Sequence, residues 1–460
     1  MQMQNLSISK LLLKMSPPVM LALLIQSIYN VVDSYFVSMY SQIGLAALSL
    51  VYPIQLLMTA VATGTGTGLN ILISRADGTG QSHKIPDLVR NGLILGLFNG
   101  LLFVVGGLAF MDAYFKMSSS QPEVWKAGIE YFRIVCIFAP GMFLEANCSK
   151  MLQAKGDMVT PMIAQVAGAL VNIVLDPLFI FGAFGLPALG CTGAAIATII
   201  GQWTAMVIVG FGVFKAFNLS LGHFSMTTCL NIYKEGLPTI LSQALCTLYV
   251  VGLNLVLKPF SEDAVTVLGI YYKIQSFFFI PLMGLQQVIL PIISYNYGAG
   301  LYSRIRETMR YCLAISCILM SLGTIVFLVM PDKLVGIFSH APAILTIGTT
   351  AFRTISCNFI PAGISLMLMV YFQGINLGKE TIAMTVLRQV VLLVPLAWLL
   401  SFLGLDAIWY TFPLTEIIVA GVGLFLYFKH PLPQGKQMPK RAALSTPSFR
   451  LSSRQSSPSI

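Results

Sequence analysis

Long apolar stretches recur along nearly the whole of this 460-residue chain, and short polar clusters separate them. A helix needs about 20 mostly apolar residues to cross a membrane. We expect twelve spanning helices, at residues 15–40, 46–74, 88–111, 129–150, 159–183, 190–214, 235–258, 264–290, 308–330, 351–372, 380–403 and 407–428. Only 10% of the residues are charged, against about 25% in soluble domains. The chain is therefore predicted to be an all-α polytopic membrane protein.

Basic residues are distributed unevenly between the two sides of the predicted membrane. Of the 27 Lys and Arg residues, 19 fall in the termini and in the loops on the side of the N-terminus. The opposite loops carry only Lys116, Lys126, Lys258 and Lys333. Because cytoplasmic loops are enriched in Lys and Arg, we expect both termini in the cytoplasm. The net charge of +10 therefore indicates membrane orientation and not a nucleic acid partner.

The sequence repeats itself at an offset of 220 residues. The match needs no gap over the first three helices and pairs Pro18 with Pro238, Tyr29 with Tyr249, Tyr52 with Tyr272, Gly64 with Gly284, Gly78 with Gly298 and Arg90 with Arg310. Each repeat holds six helices, an even number, so both repeats enter and leave on the same side. This parallel repeat predicts two six-helix bundles related by a pseudo-two-fold axis along the membrane normal, with a substrate site between them.

The repeat also predicts the division of the chain. We expect an N-terminal lobe at residues 1–214, a cytoplasmic connection at 215–234, a C-terminal lobe at 235–428 and a basic tail at 429–460. The tail is rich in Ser and Pro, and such segments are typically disordered. Its basic residues lie near anionic lipid at most.

Two acids interrupt the apolar stretches of the first lobe. A charge in the bilayer costs roughly 3 kcal/mol, and such residues mark ion or proton pathways. Asp33 lies 16 residues beyond Pro17, and Asp176 lies 16 residues beyond Thr160. Pro17 and Thr160 are near the cytoplasmic ends of their helices, and the separation is roughly 24 Å at 1.5 Å per residue. The two acids are therefore expected to meet in the outer half of the membrane. The repeat-related positions, Leu253 and Val394–Pro395, are uncharged.

Other oxygen-bearing groups are predicted close to these acids: the side chains of Asn30, Asn172 and Thr198, and the Ile173 carbonyl that Pro177 leaves without a hydrogen-bond donor. Asn172 shares a helix face with Asp176 because four residues separate them. Such a cluster suits a shared proton, or Na⁺ held by Asp33, Asn172 and Asp176. In the alternative interpretation, hydrogen bonds merely neutralise the acids, and Asn172 and Thr198 pack helices together.

Further polar residues lie within the apolar stretches. Glu416 has two candidate partners, Lys273 and Arg388, so it forms either a structural salt bridge or a second coupling or substrate-binding acid. Gln55 and Gln275 occupy matching repeat positions and are expected to pack helices or line a cavity.

Enzyme signatures are absent from the sequence. It contains no HExxH, GxSxG or nucleotide-binding pattern, and the glycine-rich GTGTGLN at 64–70 lies inside a spanning helix without a following Lys. That segment predicts close helix packing. We expect no enzymatic activity, no cofactor and no direct use of ATP, and the mostly short loops leave little room for a membrane enzyme or a receptor.

Several segments resemble the multidrug and toxic compound extrusion (MATE) family, and its MepA-type bacterial branch in particular. They are PPVMLALLIQSIYNVVDSYFVS, MLQAKGDMVTPM, NIVLDP, GCTGAAIAT and KIQSFFFIPLMGLQQVILPIISYNYGAG, and the resemblance spans about residues 10–428. It implies export of cationic amphiphilic drugs driven by inward H⁺ or Na⁺. Asp33, Asn172, Asp176 and, less closely, Thr198 match the family's cation or proton site, and Pro18 matches a helix 1 proline linked to bending. Helix 10, NFIPAGISLMLMVYF, lacks the acid of a NorM-type second site.

The function predicted from the sequence is multidrug antiport across a bacterial inner membrane by alternating access between the lobes. Its partners would be small cationic compounds, including antibiotics, and membrane lipids, with no obligatory protein partner. The alternative is a flippase for lipid-linked oligosaccharides. A flippase needs basic side chains to hold a pyrophosphate, and within the helices Lys273 and Arg388 are the main candidates.

Overall fold

A computed structural model describes residues 6–182, 187–217 and 222–433, and the regular secondary structure within these ranges is helical. Most of the predicted basic tail, from residue 434 onward, lies outside the described residues, as does part of the predicted connection, at residues 218–221.

Twelve spanning helices make up the described part of the chain. In the first lobe they are α1 Ile8–Tyr40, α2 Gln42–Gly78, α3 Ile85–Ser118, α4 Pro122–Ile137 with Ala139–Ala154, α5 Val159–Phe181 and α6 Cys191–Ala216. In the second lobe they are α7 Met226–Leu257, α8 Glu262–Gly298, α9 Tyr302–Val329, α10 Pro342–Ser356 with Phe359–Gly374, α11 Gly378–Ser401 and α12 Thr411–Lys429. Short helices Pro331–Gly336 and Leu405–Ile408 precede α10 and α12. The predicted fold class, with two bundles of six helices, is confirmed.

Two of these helices are bent, one in each lobe. α4 bends by 49° at Phe138, and α10 bends by 48° between Ser356 and Phe359. The bends occur at repeat-related places. In each case a proline, Pro140 or Pro361, follows within a few residues and removes a backbone donor, which is the usual cause of a sharp helix kink. The sequence-based prediction placed both helices but missed both bends.

The repeat is also a symmetry of helix packing. At the inner ends of α2 and α8, a Cβ atom on Gly78 would lie 2.1 Å from the Tyr295 carbonyl oxygen, and one on Gly298 would lie 2.4 Å from the Arg75 carbonyl oxygen. Arg75 and Tyr295 are themselves related by the 220-residue offset. Only glycine permits these backbones to approach so closely, and this accounts for the two glycines at matching positions.

The first helix of each lobe packs against the other lobe at its inner end. Leu11, Met15 and Val19 of α1 belong to a hydrophobic core formed otherwise almost entirely by the second lobe. In return, Cys229 and Ile232 of α7 pack into a core of the first lobe. The lobes are thus joined at the end of the molecule that carries the N-terminus.

The connection between the lobes is shorter than predicted. α6 continues to Ala216 and α7 already begins at Met226, so much of the predicted segment 215–234 is helical. The end of the connection is bound to α3, because Asn91 Nδ2 donates to the His223 carbonyl (2.7 Å) and Asn91 Oδ1 accepts from the Ser225 N–H (2.9 Å).

Toward the outer end, side chains on the same helices lose their partners. Val31 and Tyr35 on α1 are 62% and 58% exposed, and Tyr52 on α2 is 59% exposed. These side chains therefore do not repeat, at the outer end, the contacts that join the lobes at the inner end.

Candidate functional site

Two carboxyl groups lie side by side where the outer half of α1 packs against α5. They belong to Asp33 and Asp176, which lie close enough to interact directly. Asp176 is fully buried, and Oδ1 of Asp33 is buried without a hydrogen-bond partner. Because two ionised carboxylates in contact repel each other, this arrangement calls for a proton or a cation between them.

A glycine crossing positions the next part of the site. Gly168 on α5 and Gly201 on α6 face each other so closely that a Cβ on either would lie 2.7 or 2.6 Å from the other's carbonyl oxygen. One turn further out, Asn172 Nδ2 donates to Asp176 Oδ2 (3.3 Å), and its Oδ1 accepts from the Thr198 N–H (3.1 Å). The Asn172 amide therefore links the acid on α5 to α6.

Two tyrosines complete the cluster. Tyr29 lies one turn before Asp33 on α1, within electrostatic range of both acids. Tyr131 on α4 is almost fully buried, and its hydroxyl lies against Thr198 and Gln55. The sequence analysis did not identify Tyr29 as part of the site, although its repeat match with Tyr249 was a signal for it. Nothing in the sequence distinguished Tyr131 from the other aromatic residues of an apolar stretch.

The site is rich in oxygen and has a single amide nitrogen. Two carboxyl groups, one amide and the hydroxyl of Thr198 lie within one cluster, and oxygen is the ligand type that hard cations prefer. The partnerless Oδ1 of Asp33 would be satisfied by a proton or by a bound cation. The residues present therefore fit either H⁺ or Na⁺.

Other predicted residues lie around or outside this cluster. Asn30 lies on the outer half of α1 and is exposed. Gln275 makes no hydrogen bond with any described residue. Pro177 directly follows Asp176 within α5. Pro18 lies in the uninterrupted helix α1, at the part that packs against the second lobe.

The second lobe holds a separate buried ion pair. Glu416 on α12 is 3% exposed; its Oε1 accepts from Arg388 Nε (2.6 Å) and its Oε2 from Ser365 Oγ (2.9 Å). Lys273 is not part of this cluster: it is exposed, and its Nζ lies 5.7 Å from the ring centre of Phe338. Of the two partners that the sequence suggested, the structure places Arg388 beside Glu416.

Two parallel six-helix lobes, joined at their inner ends, with a carboxyl pair inside one lobe, are the architecture of a membrane transporter. The MatE family model matches residues 18–178 and 238–399, and the chain belongs to that family. Members of the family are transporters and not enzymes.

Related proteins and structures cover nearly the whole chain. An FAD transporter of Shewanella oneidensis is 23% identical over 430 residues, which is 92% of this chain and 94% of that protein. The multidrug export protein MepA of Staphylococcus haemolyticus is 24% identical over 428 residues, again 92% and 94% of the two chains.

Solved structures show the same fold. The outward-facing conformation of a multidrug resistance MATE family transporter superimposes with a TM-score of 0.86 at 24% identity, covering 92% of this chain and 96% of that one. A MOP superfamily transporter from Pyrococcus furiosus, described as having a binding pocket of reverse polarity, gives the same values.

Proposed function

We propose that this protein is a secondary multidrug efflux antiporter that exports cationic amphiphilic compounds in exchange for H⁺ or Na⁺. The observation that carries the proposal is the contact between the carboxyl groups of Asp33 and Asp176 inside the first lobe. The pair binds the coupling ion, with Asn172 and Thr198 as neighbouring groups. The name of the MepA relatives supports drug export.

Coupling follows from the position of the pair between α1 and α5. An ion bound between the acids favours the packing of α1 on α5. This effect requires the ion to bind that state more tightly, because a ligand shifts a conformational equilibrium only by its differential affinity for the two states. Ion release removes that preference, so α1 is free to rearrange, with Pro18 and Pro177 as points where helix hydrogen bonding is already interrupted. The coupling between ion and substrate is reciprocal whether or not they touch.

The proposed location is a bacterial inner (cytoplasmic) membrane, with both termini in the cytoplasm. The distribution of Lys and Arg supports this orientation. In this orientation the contacts that join the lobes lie on the cytoplasmic side. We propose approximate lobe bounds of 1–214 and 235–428 and a cytoplasmic tail at 429–460. The connection lies within 215–234, a segment that also holds the last residues of α6 and the start of α7.

A second candidate substrate class is anionic and aromatic. One relative is named for FAD, which carries phosphates and an aromatic flavin. The specific observation in this chain is Arg388, a guanidinium in the second lobe beside Tyr249. A flippase for lipid-linked oligosaccharides receives less support, because Arg388 is paired with Glu416 and Lys273 lies over the ring of Phe338 instead.

Reconstituted vesicles test the function and the coupling ion together. Purified protein in proteoliposomes is given an H⁺ gradient or a Na⁺ gradient separately, and movement of the dye cation ethidium is followed by fluorescence. We expect uphill ethidium transport with one of the two gradients and none without a gradient. Transport that ignores both gradients would refute the antiport mechanism.

A further inference from the structure

The second lobe carries a guanidinium that ion coupling at the carboxyl pair does not use. Arg388 lies on the π-helical turn Leu387–Leu392, which interrupts α11. Single π-helical turns inside α-helices are frequent at functional sites, because the inserted residue changes the direction of the neighbouring side chains.

Only one nitrogen of the Arg388 guanidinium makes a hydrogen bond within the described residues. Within the described residues its one hydrogen bond runs from Nε to Glu416 Oε1 (2.6 Å), and the other oxygen of Glu416 is held by Ser365. The side chain of Arg388 is 19% exposed, against 4% for Glu416. The two terminal nitrogens therefore form a free fork, and such a fork binds a carboxylate or a phosphate with two parallel hydrogen bonds.

Aromatic rings lie on α7 and α8 near this guanidinium, and α7 contacts the same π-helical turn, where Gln389 Nε2 donates to the Ser242 carbonyl (3.2 Å). Tyr249 on α7 lies within electrostatic range of Arg388, and its ring centre is 6.4 Å from that of Tyr272 on α8. The hydroxyl of Tyr272 is buried without a hydrogen-bond partner. Beside them, the exposed Cys246 of α7 lies within electrostatic range of Tyr52 on α2 of the other lobe. The ring pair thus borders the region between the lobes.

The repeat gives these neighbours a counterpart of opposite charge. Tyr249 corresponds to Tyr29 at the 220-residue offset. Tyr29 lies within electrostatic range of the two carboxyl groups of the first lobe, whereas Tyr249 lies within electrostatic range of the Arg388 guanidinium. The same tyrosine position therefore accompanies acids in one lobe and a cation in the other.

We propose that Arg388, Tyr249 and Tyr272 form a binding subsite for aromatic compounds that carry a phosphate or carboxylate group. The rings stack on the aromatic part of the compound, and the free nitrogens of Arg388 bind its anionic group. Glu416 holds the guanidinium in place through Nε, and its negative charge weakens the attraction of Arg388 for an anionic ligand. The inference rests on the proposed transport function and locates the binding group for the second, anionic and aromatic substrate class.

The test compares two flavins that differ by a single phosphate, riboflavin and riboflavin 5′-phosphate. Binding to the full-length purified protein in detergent is measured by equilibrium dialysis. A hydrogen-bonded ion pair of this kind corresponds to roughly a 10- to 100-fold preference for the phosphorylated flavin. Glu416→Gln removes the negative charge beside Arg388. The affinity of this variant for riboflavin 5′-phosphate should therefore rise, while its affinity for riboflavin stays unchanged.

Removal of Arg388 alone would leave Glu416 buried without a counter-charge and could unfold the protein. The double variant Arg388→Gln/Glu416→Gln avoids this, and its monodisperse elution shows that it is folded. We expect it to bind the two flavins equally. Arg353→Gln, which changes an exposed arginine on α10, is the matched control and should keep the wild-type preference.

Two results would overturn the subsite: equal binding of both flavins by the wild-type protein, or a phosphate preference that persists in the folded double variant. Ethidium efflux by the wild-type protein tests the proposed antiport separately, since ethidium has no anionic group. A failure of one proposal is therefore distinguishable from a failure of the other.

Discussion

Arg75 on α2 and Glu235 on α7 form an ion pair across the lobe interface, with Nη1 of the arginine 3.1 Å from Oε1 of the glutamate. The same nitrogen lies 3.3 Å from Oδ1 of Asn376, and the guanidinium lies 5.9 Å from the ring centre of Tyr297. All three partners of Arg75 belong to the second lobe. The side chain of Arg75 thus links the inner ends of the two lobes.

Loss of the Arg75 contacts should favour opening of the lobes at their inner ends. For Arg75→Gln we expect a shift of about 1–3 kcal/mol toward the inward-open state, which is roughly 5- to 150-fold in the ratio of the two states. A cysteine replaces Thr239, one turn after Glu235 on α7, in a protein without other cysteines. The measurement is the rate at which a membrane-impermeant thiol reagent labels this cysteine in inside-out vesicles. The expected result is faster labelling.

The control for Arg75 is an ion pair at the same end of the molecule but within one lobe. Lys155 and Asp77 are 2.9 Å apart and both lie in the first lobe. Lys155→Gln should leave the labelling rate at Thr239 unchanged. Equal rates in Arg75→Gln and wild type would show that the pair does not hold the inner end closed.

Gly68 on α2 marks the closest approach to α7. A Cβ there would lie 2.0 Å from the carbonyl oxygen of Ile232. We expect Gly68→Ala to destabilise the closed inner end by about 1–3 kcal/mol, because the added methyl group must push the helices apart. Thermal unfolding in detergent and the labelling assay both report this change. Gly269→Ala, at a helical glycine with open space around it, should alter neither.

Neutralising either acid of the carboxyl pair should abolish uphill efflux. Asp33→Asn and Asp176→Asn each remove the charge that the coupling ion requires, while membrane expression should persist. Because groups that act as one unit are not additive, the double variant should be little worse than either single variant. Ethidium efflux in energised vesicles measures this, and normal efflux by a well-expressed Asp33→Asn protein would exclude the coupling role.

The repeat-related position supplies a control for the acids. Leu253 is 1% exposed and lies where the second lobe would carry its counterpart of Asp33. Leu253→Asp in the Asp33→Asn background should not restore transport, because that position lacks the groups around Asp176. Restored efflux would mean that the surroundings of Asp33 are unimportant.

Tyr131 should matter for transport although the sequence did not identify it. Tyr131→Phe removes a hydroxyl that lies against Thr198 and Gln55. A neutral hydrogen bond contributes about 0.5–1.5 kcal/mol, so we expect ion-driven efflux to fall roughly 2- to 10-fold. Tyr114→Phe is the matched control, because its hydroxyl donates to the Leu50 carbonyl (3.0 Å) away from the cluster. Equal activities of the two variants would contradict a role for Tyr131.

The sequence by itself determined the number of spanning helices and their two-lobe repeat. A bilayer admits only segments whose backbone hydrogen bonds close internally and whose apolar length matches its thickness, so both can be read from local composition. The positions of Asp33 and Asp176 at equal depth followed from the fixed rise of an α-helix. The two acids were expected to lie close together because chain order and predicted topology already specified the direction of both helices.

Tertiary structure decided which side chains meet across helices. Depth alone does not specify the rotation of a helix about its axis, so it could not choose between Lys273 and Arg388 as the partner of Glu416, or place Tyr131 against Thr198. Likewise, the bends in α4 and α10 and the packing of α1 against the second lobe depend on contacts between distant segments. Local sequence limits what each helix can be, and close packing between helices determines which groups share a site.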